Sequence, residues 1–207
     1  MDTDVKSTLL QSYNANAKLR DKPEIEGWKL NELNRFISFF DDTQGLKLLD
    51  LGAGAGQHGQ YLQSNGFDVH CVDLSPEMVK ACRNKGLNAE VMDFYSLKFE
   101  EDSFDAAWSL NALLHVPKSS LHIVLNNIKT VLKPGALFYL GLYGGYDSEG
   151  IWEEDPYTPK RFFSFHNNEN IQVKAKQYFE LVDFEAVPTT GTKLGFQSLV
   201  LRKRGQQ

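Results

Sequence analysis

Cysteine is scarce, with only Cys71 and Cys82 in 207 residues. Two thiols exclude a disulfide framework, a cysteine-built zinc site and a three-cysteine radical cluster, and a reducing cytoplasm is the expected compartment. Long apolar runs are missing too. No stretch of about 18 apolar residues occurs, and the opening MDTDVKSTLLQSYNANAKLR has no apolar centre of signal-peptide length. The chain is expected to be neither exported nor membrane-spanning. Basic charge is in deficit, 22 Lys and Arg against 27 Asp and Glu, for a formal net charge of −5. A nucleic acid therefore has no global footprint to bind and is not expected as a partner. No two of the five histidines have metal-ligand spacing with acids nearby, so no metal is expected. Internal repeats and low-complexity linkers are absent as well.

What remains is an ordinary globular composition, 42% hydrophobic, 24% charged and 12% aromatic, able to bury a core. The length reads as one domain over residues 1–207, with N-terminal helices over 1–44 and an α/β core over 45–207. Short apolar runs alternate with helical stretches, the mark of βα units and a mainly parallel sheet. Strands are predicted at 45–51, 67–73, 87–93, 104–110 and 136–143, and helices at 76–85, 119–133 and 169–177. Ser75-Pro76 supplies an N-cap and a first-turn proline, and Pro134-Gly135 is expected to end the helix before it. Segments 179–187 and 195–202 read as a final antiparallel pair joined by the turn TTGTKLG. Ahead of the core, residues 4–20 and 27–40 read as two helices with no strand between them.

The informative segment is LDLGAGAGQHGQ, with Gly52, Gly54 and Gly56 at the turn from the first strand into a helix. Glycines there allow a tight turn and close approach of a ligand to the main chain. A phosphate-gripping loop would close on Gly-Lys-Ser/Thr, but Gln57 and His58 follow Gly56. A dinucleotide fingerprint would put its third glycine at position 57, where Gln57 stands; only Asp73, 19 residues after Gly54, keeps that reading alive. Asp50, beside the loop, would repel a pyrophosphate and suits a cationic amino group. Asp73 can accept two ribose hydroxyls, and Asp93 can accept from the exocyclic amine of adenine with Phe94 or Leu74 against the ring. An Asp at one strand end is commonly a helix cap. Three at successive strand ends beside one glycine loop point instead to a shared ligand built of an amino acid, a ribose and an adenine, which is S-adenosylmethionine.

Five ordered segments, LDLGAGAG, VDLSPEMV, MDFYSL, SFDAAWSLNALLHV and LKPGALFYLGLY, resemble those of class I S-adenosylmethionine-dependent methyltransferases over roughly residues 46–202. The resemblance implies an α/β, Rossmann-like seven-stranded sheet of order 3-2-1-4-5-7-6, last strand antiparallel, with helices on both faces. It gives Asp50, Gly52, Gly54 and Gly56 to the methionine part of the cofactor, Asp73 to the ribose, Leu74 and Met78 to the flanks of the adenine, and Asp93 with Phe94 to its amine and ring. Asn111 would pass close to the methionine portion.

Methyl transfer needs positioning and exclusion of water more than it needs catalytic groups. His115 is the candidate base, because its loop borders the methyl-donor site in that family; the plainer role is to fix the loop by hydrogen bonds. Tyr143 is the second catalytic candidate, as an orienting group or as simple wall. His58 and His166 are weaker. Residues 144–165, dense in aromatics, read as a lid inserted after the fifth strand, and the five acids between 147 and 155 would favour a neutral or cationic small substrate. From the N-terminal pair, Arg20 could face the cofactor's carboxylate while Tyr13 or Trp28 shields its sulfonium. The expected activity is methyl transfer to an O or N of a small-molecule acceptor. RNA or protein methylation, a non-catalytic cofactor-binding module and an NAD-dependent oxidoreductase are the alternatives, and the basic tail Arg202, Lys203, Arg204 is the only local feature for RNA.

Overall fold

The computed structural model describes residues 3–187 and 194–205, so most of the TTGTKLG turn and the last two residues lie outside it. The sheet is built from β1 (Lys47–Leu51), β2 (Asp68–Asp73), β3 (Asn88–Val91), β4 (Phe104–Leu110), β5 (Leu132–Gly144), β8 (Glu180–Val187) and β9 (Gly195–Arg202). Their spatial order is β3-β2-β1-β4-β5-β9-β8. Pairing is parallel from β3 through to β5, and β9 runs antiparallel to both neighbours. This is the 3-2-1-4-5-7-6 order expected above, because a separate hairpin of β6 (Ser148–Ile151) and β7 (Phe162–Phe165) interrupts the numbering.

Strands buried on both faces need apolar side chains on both, and β4 and β5 supply them with period two. Ala107, Phe138 and Leu140 enter one core cluster, while Ala106, Trp108, Leu137 and Tyr139 enter the other. Trp108 stacks on Tyr139 at 3.9 Å between ring centroids. Full burial of side chains of this size contributes about 1.5–3 kcal/mol each. Helices α4 (Gln57–Ser64), α5 (Pro76–Asn84), α6 (Leu121–Val131) and α7 (Asn168–Lys176) connect the strands. Ser75 caps α5 through Met78 N at 3.2 Å.

Three N-terminal helices pack onto this frame, α1 (Thr3–Ala15), α2 (Ala17–Arg20) and α3 (Gly27–Ile37). Leu33 and Phe36 of α3 are fully buried against the sheet. The same helix is fixed by a polar cluster: Glu32 accepts from Tyr139 Oη at 2.7 Å and from Ser198 Oγ, and Arg35 donates to Asp183 at 2.5 Å. Among the described residues no helix is long and apolar enough to cross a membrane.

Several expected boundaries shift for physical reasons. The helix expected over 4–20 breaks at Asn16, whose side-chain amide donates to the Ser12 carbonyl at 2.8 Å. The helix expected to run to residue 133 stops at Val131, because Pro134 bars Lys133 from helical angles and Leu132 is already extended. Residues 132–135 instead belong to β5, with Gly135 N bonded to Lys203 O at 2.8 Å. The segment expected as a lid is the β6–β7 hairpin, and Phe163 and Phe165 on it are buried in the main core cluster.

Four of the five acids between 147 and 155 are engaged by groups of the chain itself. Asp147 pairs with Lys118 at 3.2 Å, Glu153 with Lys160 at 2.6 Å and Asp155 with Arg161 at 2.7 Å, while Glu149 accepts from Lys118 N. The expectation that they select a neutral or cationic substrate therefore loses its basis. The basic tail is engaged as well, Lys203 with Asp102 at 2.6 Å and Arg204 with the carbonyls of Lys176 and Phe179.

Candidate functional site

Three contiguous cavities open at the C-terminal ends of β1, β2, β4 and β5, where an open α/β sheet gathers its ligands. The largest, about 660 Å³, lies between α3, the β6–β7 hairpin and the ends of β5 and β9. A second, about 280 Å³, runs along the glycine loop, and a third, about 70 Å³, lies between Asp73, Asp93 and α1. Asn111 and Arg20 line all three, and Tyr13 and His115 line both the largest and the smallest.

The glycine loop has the backbone the sequence called for. Gly52 has φ +70°, and a Cβ there would stand 2.3 Å from the Ala112 Cβ, so neither the angle nor the space admits a side chain. Gly56, at φ +85°, is closed from behind by Leu87 and Cys82. Gly54 faces open space on the cavity side, and its N–H donates to Asp73 Oδ2 at 2.9 Å. Asp73 Oδ1 accepts from Ser75 N at 2.9 Å. Burial nevertheless raises its pKa, against the backbone bonds and Arg20, so the carboxylate gains from further donors in the cavity.

Gly52, Gly54, Asp73, Leu74, Asp93, Phe94, Asn111, Tyr13 and Arg20 all border the small cavity. Asp50, Gly56 and Met78 border none of the three and lie behind the wall. Asp50 is buried beneath the loop with the Cys71 thiol 4.0 Å from its Oδ2, and burial together with Asp73 raises its pKa to about 8. Asp93 pairs with Lys6 of α1 at 2.6 Å. Asn111 holds φ +56°, with its N–H on Gly141 O at 2.7 Å and its side-chain oxygen accepting from Tyr143 N at 3.2 Å. Asparagine is among the few residues that take this conformation readily.

His115 and Tyr13 form a buried pair. His115 Nδ1 lies 2.7 Å from the Phe162 carbonyl, which can only accept, so Nδ1 carries the proton and Nε2 accepts from Tyr13 Oη at 2.6 Å. Burial, with Arg161 and Arg20 acting in the same direction, lowers the His115 pKa to about 3. The imidazole is therefore neutral at physiological pH. Its two hydrogen bonds tie the loop after β4 to Phe162 of β7 and to Tyr13 of α1. Tyr143 stands in the aromatic wall of the large cavity, its ring 6.1 Å from Trp28 and 5.7 Å from Phe196. His58 and His166 are held neutral by burial, each near pKa 4; His58 borders the loop cavity, and His166 borders none of the three. Among the described residues no cluster of His, Cys, Asp and Glu could hold a metal ion.

Two residues escape sequence reasoning. Gln57, noted only for breaking the dinucleotide pattern, donates to the carbonyls of Arg20 and Lys22 at 2.8 and 2.9 Å and so fastens the end of α2 over the loop. Arg161 is pinned by Asp155 through Nε and Nη2 at 3.0 and 2.7 Å, and its Nη1 donates to Tyr13 Oη at 3.0 Å. Its only sequence signal is a base followed at once by FF in an aromatic segment.

Residues 49–140 match the protein family described as a methyltransferase domain. The chain is 37% identical over 120 residues to sterol methyltransferase-like 3 of Botryococcus braunii, a match that covers 54% of this chain and 30% of that protein. It is 32% identical over 112 residues to a ubiquinone biosynthesis O-methyltransferase of Xanthomonas oryzae pv. oryzae, covering 51% and 46%. The chain thus spans less than half the length of these curated relatives. Among solved structures, the 1,6-didemethyltoxoflavin-N1-methyltransferase of Burkholderia thailandensis, with bound 1,6-didemethyltoxoflavin and S-adenosylhomocysteine, superposes with a TM-score of 0.77. That match covers 96% of this chain and 87% of the other at 20% identity, a likeness of fold alone.

Proposed function

We propose that the chain is a class I S-adenosylmethionine-dependent methyltransferase, a reading supported by the methyltransferase-domain match over residues 49–140, and that it transfers the methyl group to an oxygen or nitrogen of a small molecule held in the large aromatic cavity. The observation that carries this reading is the junction. Asn111 and Arg20 belong to all three cavities, so a ligand along the loop and a ligand in the aromatic cavity meet beside Tyr13 and His115.

The residues present fit the donor. Gly54 leaves open space beside a buried carboxylate, Asp73, suited to the two hydroxyls of a ribose. Leu74 and Phe94 offer apolar faces to an adenine, and Asp93 is free to accept from its amine once Lys6 leaves. Arg20 has no carboxylate partner among the described residues and suits the carboxylate of the methionine part; Gly52, Gly56, Asn111 and Asp50 form and support the surface it lies on. At about 70 Å³ the nucleoside end has room for a few waters only, so entry requires α1, with Lys6, Leu9 and Tyr13, to move outward. Once bound, the donor supplies a methyl group already activated by a sulfonium. The protein's own contribution is to align the acceptor and exclude water, with the rings of Trp28, Tyr143 and Phe196 as walls.

The relatives' names speak of sterol and of ubiquinone biosynthesis, and a cavity of about 660 Å³ lined by aromatic rings suits such small acceptors better than RNA or a protein. The engaged basic tail adds nothing for a polyanion. A cytoplasmic site of action rests on two buried free thiols, Cys71 and Cys82. Calorimetry with S-adenosylhomocysteine and with NAD tests the donor. Binding of the former alone is expected, and binding of NAD alone overturns the reading. Transfer of a labelled methyl group to a panel of small acceptors then separates an enzyme from a module that only binds the cofactor.

A further inference from the structure

Resting on that reading, we propose that the acceptor is a small ring compound that binds as an oxyanion, its ring among the aromatic side chains of the large cavity and its charged oxygen on Arg161. Three independent features lead there.

The first is the cavity's charge. Arg20, Lys29 and Arg161 line it against a single acid, Glu26, which is already paired with Lys29 at 3.0 Å. Asp155, the partner of Arg161, is not in the lining and its side chain is fully buried behind it. A cationic acceptor would meet a lining with more positive than negative groups, which repels like charge.

The second is the state of Arg161. A guanidinium carries five N–H donors, and three are used here: Nε and one on Nη2 toward Asp155, and one on Nη1 toward Tyr13. One N–H on each terminal nitrogen remains. The plane is held rigidly, 3.9 Å from the Tyr157 ring centroid and 5.1 Å from that of Phe163. A buried, immobilised guanidinium with unused donors at a cavity wall is a site for an anionic oxygen. Tyr13 donates its proton to His115, and the Arg20 guanidinium lies 5.2 Å from the Tyr13 ring centroid.

The third is the lack of an effective base. His115 is held neutral with its one acceptor nitrogen already on Tyr13, so a hydroxyl that needed deprotonation would find no strong proton acceptor beside it. An oxyanion needs none. Its lone pair forms the new O–C bond as the S–C bond breaks with its electron pair going to sulfur, and no proton changes hands.

The test uses 4-nitrophenol, whose phenolate is read by its visible absorbance, with the full chain saturated by S-adenosylhomocysteine. Binding of the phenolate at least about tenfold more tightly than the phenol is expected, which lowers the apparent pKa of the bound probe by about one unit. Arg161→Gln should erase that preference. Because Asp155 would then be left buried and unpaired, the double variant Asp155→Asn/Arg161→Gln carries the same comparison should the single variant not fold. An unchanged or raised probe pKa, or equally tight binding of 4-nitrobenzylammonium, overturns the proposal while leaving the methyltransferase reading intact. Phenolate binding that depends on Arg161 in a protein that fails to bind S-adenosylhomocysteine supports the anion site and overturns the reading of the donor.

Discussion

Replacing Asp50 by Asn tests the electrostatics beneath the glycine loop and the ligand above it. Burial, reinforced by the Asp73 carboxylate, raises the Asp50 carboxyl from 3.8 to about 8. Between those values the carboxyl is protonated in the fold and ionised in the unfolded chain. The folded state then binds more protons, so stability falls as pH rises from about 4 to 8. From 3.8 to pH 7 is roughly three units, and at about 1.4 kcal/mol per unit the upper bound on the cost is ~4 kcal/mol. An effective dielectric above that of a dry interior brings it to about 2 kcal/mol. Asp50→Asn keeps the shape and removes the titration. Urea unfolding should therefore show the variant about 2 kcal/mol more stable at pH 7 and little different at pH 4. Docking of a cationic amino group above the loop favours the ionised carboxyl, so S-adenosylhomocysteine binding near pH 7 should expel up to about one proton from the unsubstituted protein. Calorimetry in buffers of different ionisation enthalpy reads that proton as a slope, which the variant should lack. Equal pH dependence of stability in the two proteins refutes the buried-acid argument, and a zero slope in the unsubstituted protein refutes the docked ammonium.

Three other substitutions bear on separate parts of the site. Asp73→Ala should weaken S-adenosylhomocysteine binding by about 1–3 kcal/mol with an unchanged circular dichroism spectrum; an unchanged affinity removes Asp73 from the ribose position. Gly52→Ala meets both a φ of +70° and the Ala112 Cβ, and should cost more than the roughly 0.5 kcal/mol that bounds most surface changes, read as a lowered thermal midpoint. A midpoint equal to that of the parent shows that the loop relaxes freely. His115, neutral in the fold down to about pH 3 but protonated below 6.5 when unfolded, makes stability fall as pH drops through that window, and His58 and His166 act in the same direction. His115→Gln should reduce the proton uptake on unfolding at pH 5 by about one. The same uptake in variant and parent means that this histidine titrates normally.

The sheet was legible because its strands are nearly continuous apolar runs punctuated by glycine, and β4 and β9 fall on the predicted residues. Local patterns failed where a boundary depends on a side-chain bond or a distant partner. The break at Asn16 is one side-chain amide taking the Ser12 carbonyl. The pairing of SEGI with FFSF owes nothing to alternation in the first segment; it is held by Ser164 on Glu149 and by burial of Phe163 and Phe165. Arg161 was the hardest to see. A base in PKRFF reads as solvent-exposed until Asp155, six residues back, and Tyr13, 148 residues back, close around it.

The same three-dimensional pairing governs the sign of the field at the acceptor. Counting acids in residues 147–155 suggests a negative lid, but charge acts through distance and through what neutralises it. Asp147, Glu153 and Asp155 each have a cation within 3.2 Å or less, so their fields cancel locally. Arg20 has no such partner among the described residues and sets the sign of the local potential although the chain as a whole is at −5; Arg161, paired with Asp155, contributes its two unused N–H donors rather than a net charge. For an oxyanion acceptor this arrangement acts on the reaction as well as on binding. Attack on a sulfonium carbon removes one positive and one negative charge together, so the apolar surface of the aromatic rings would disfavour the separated ions more than the partly neutralised transition state. With both charges gone, Arg161 would hold a neutral ether far less tightly than an oxyanion, which would favour release of the product.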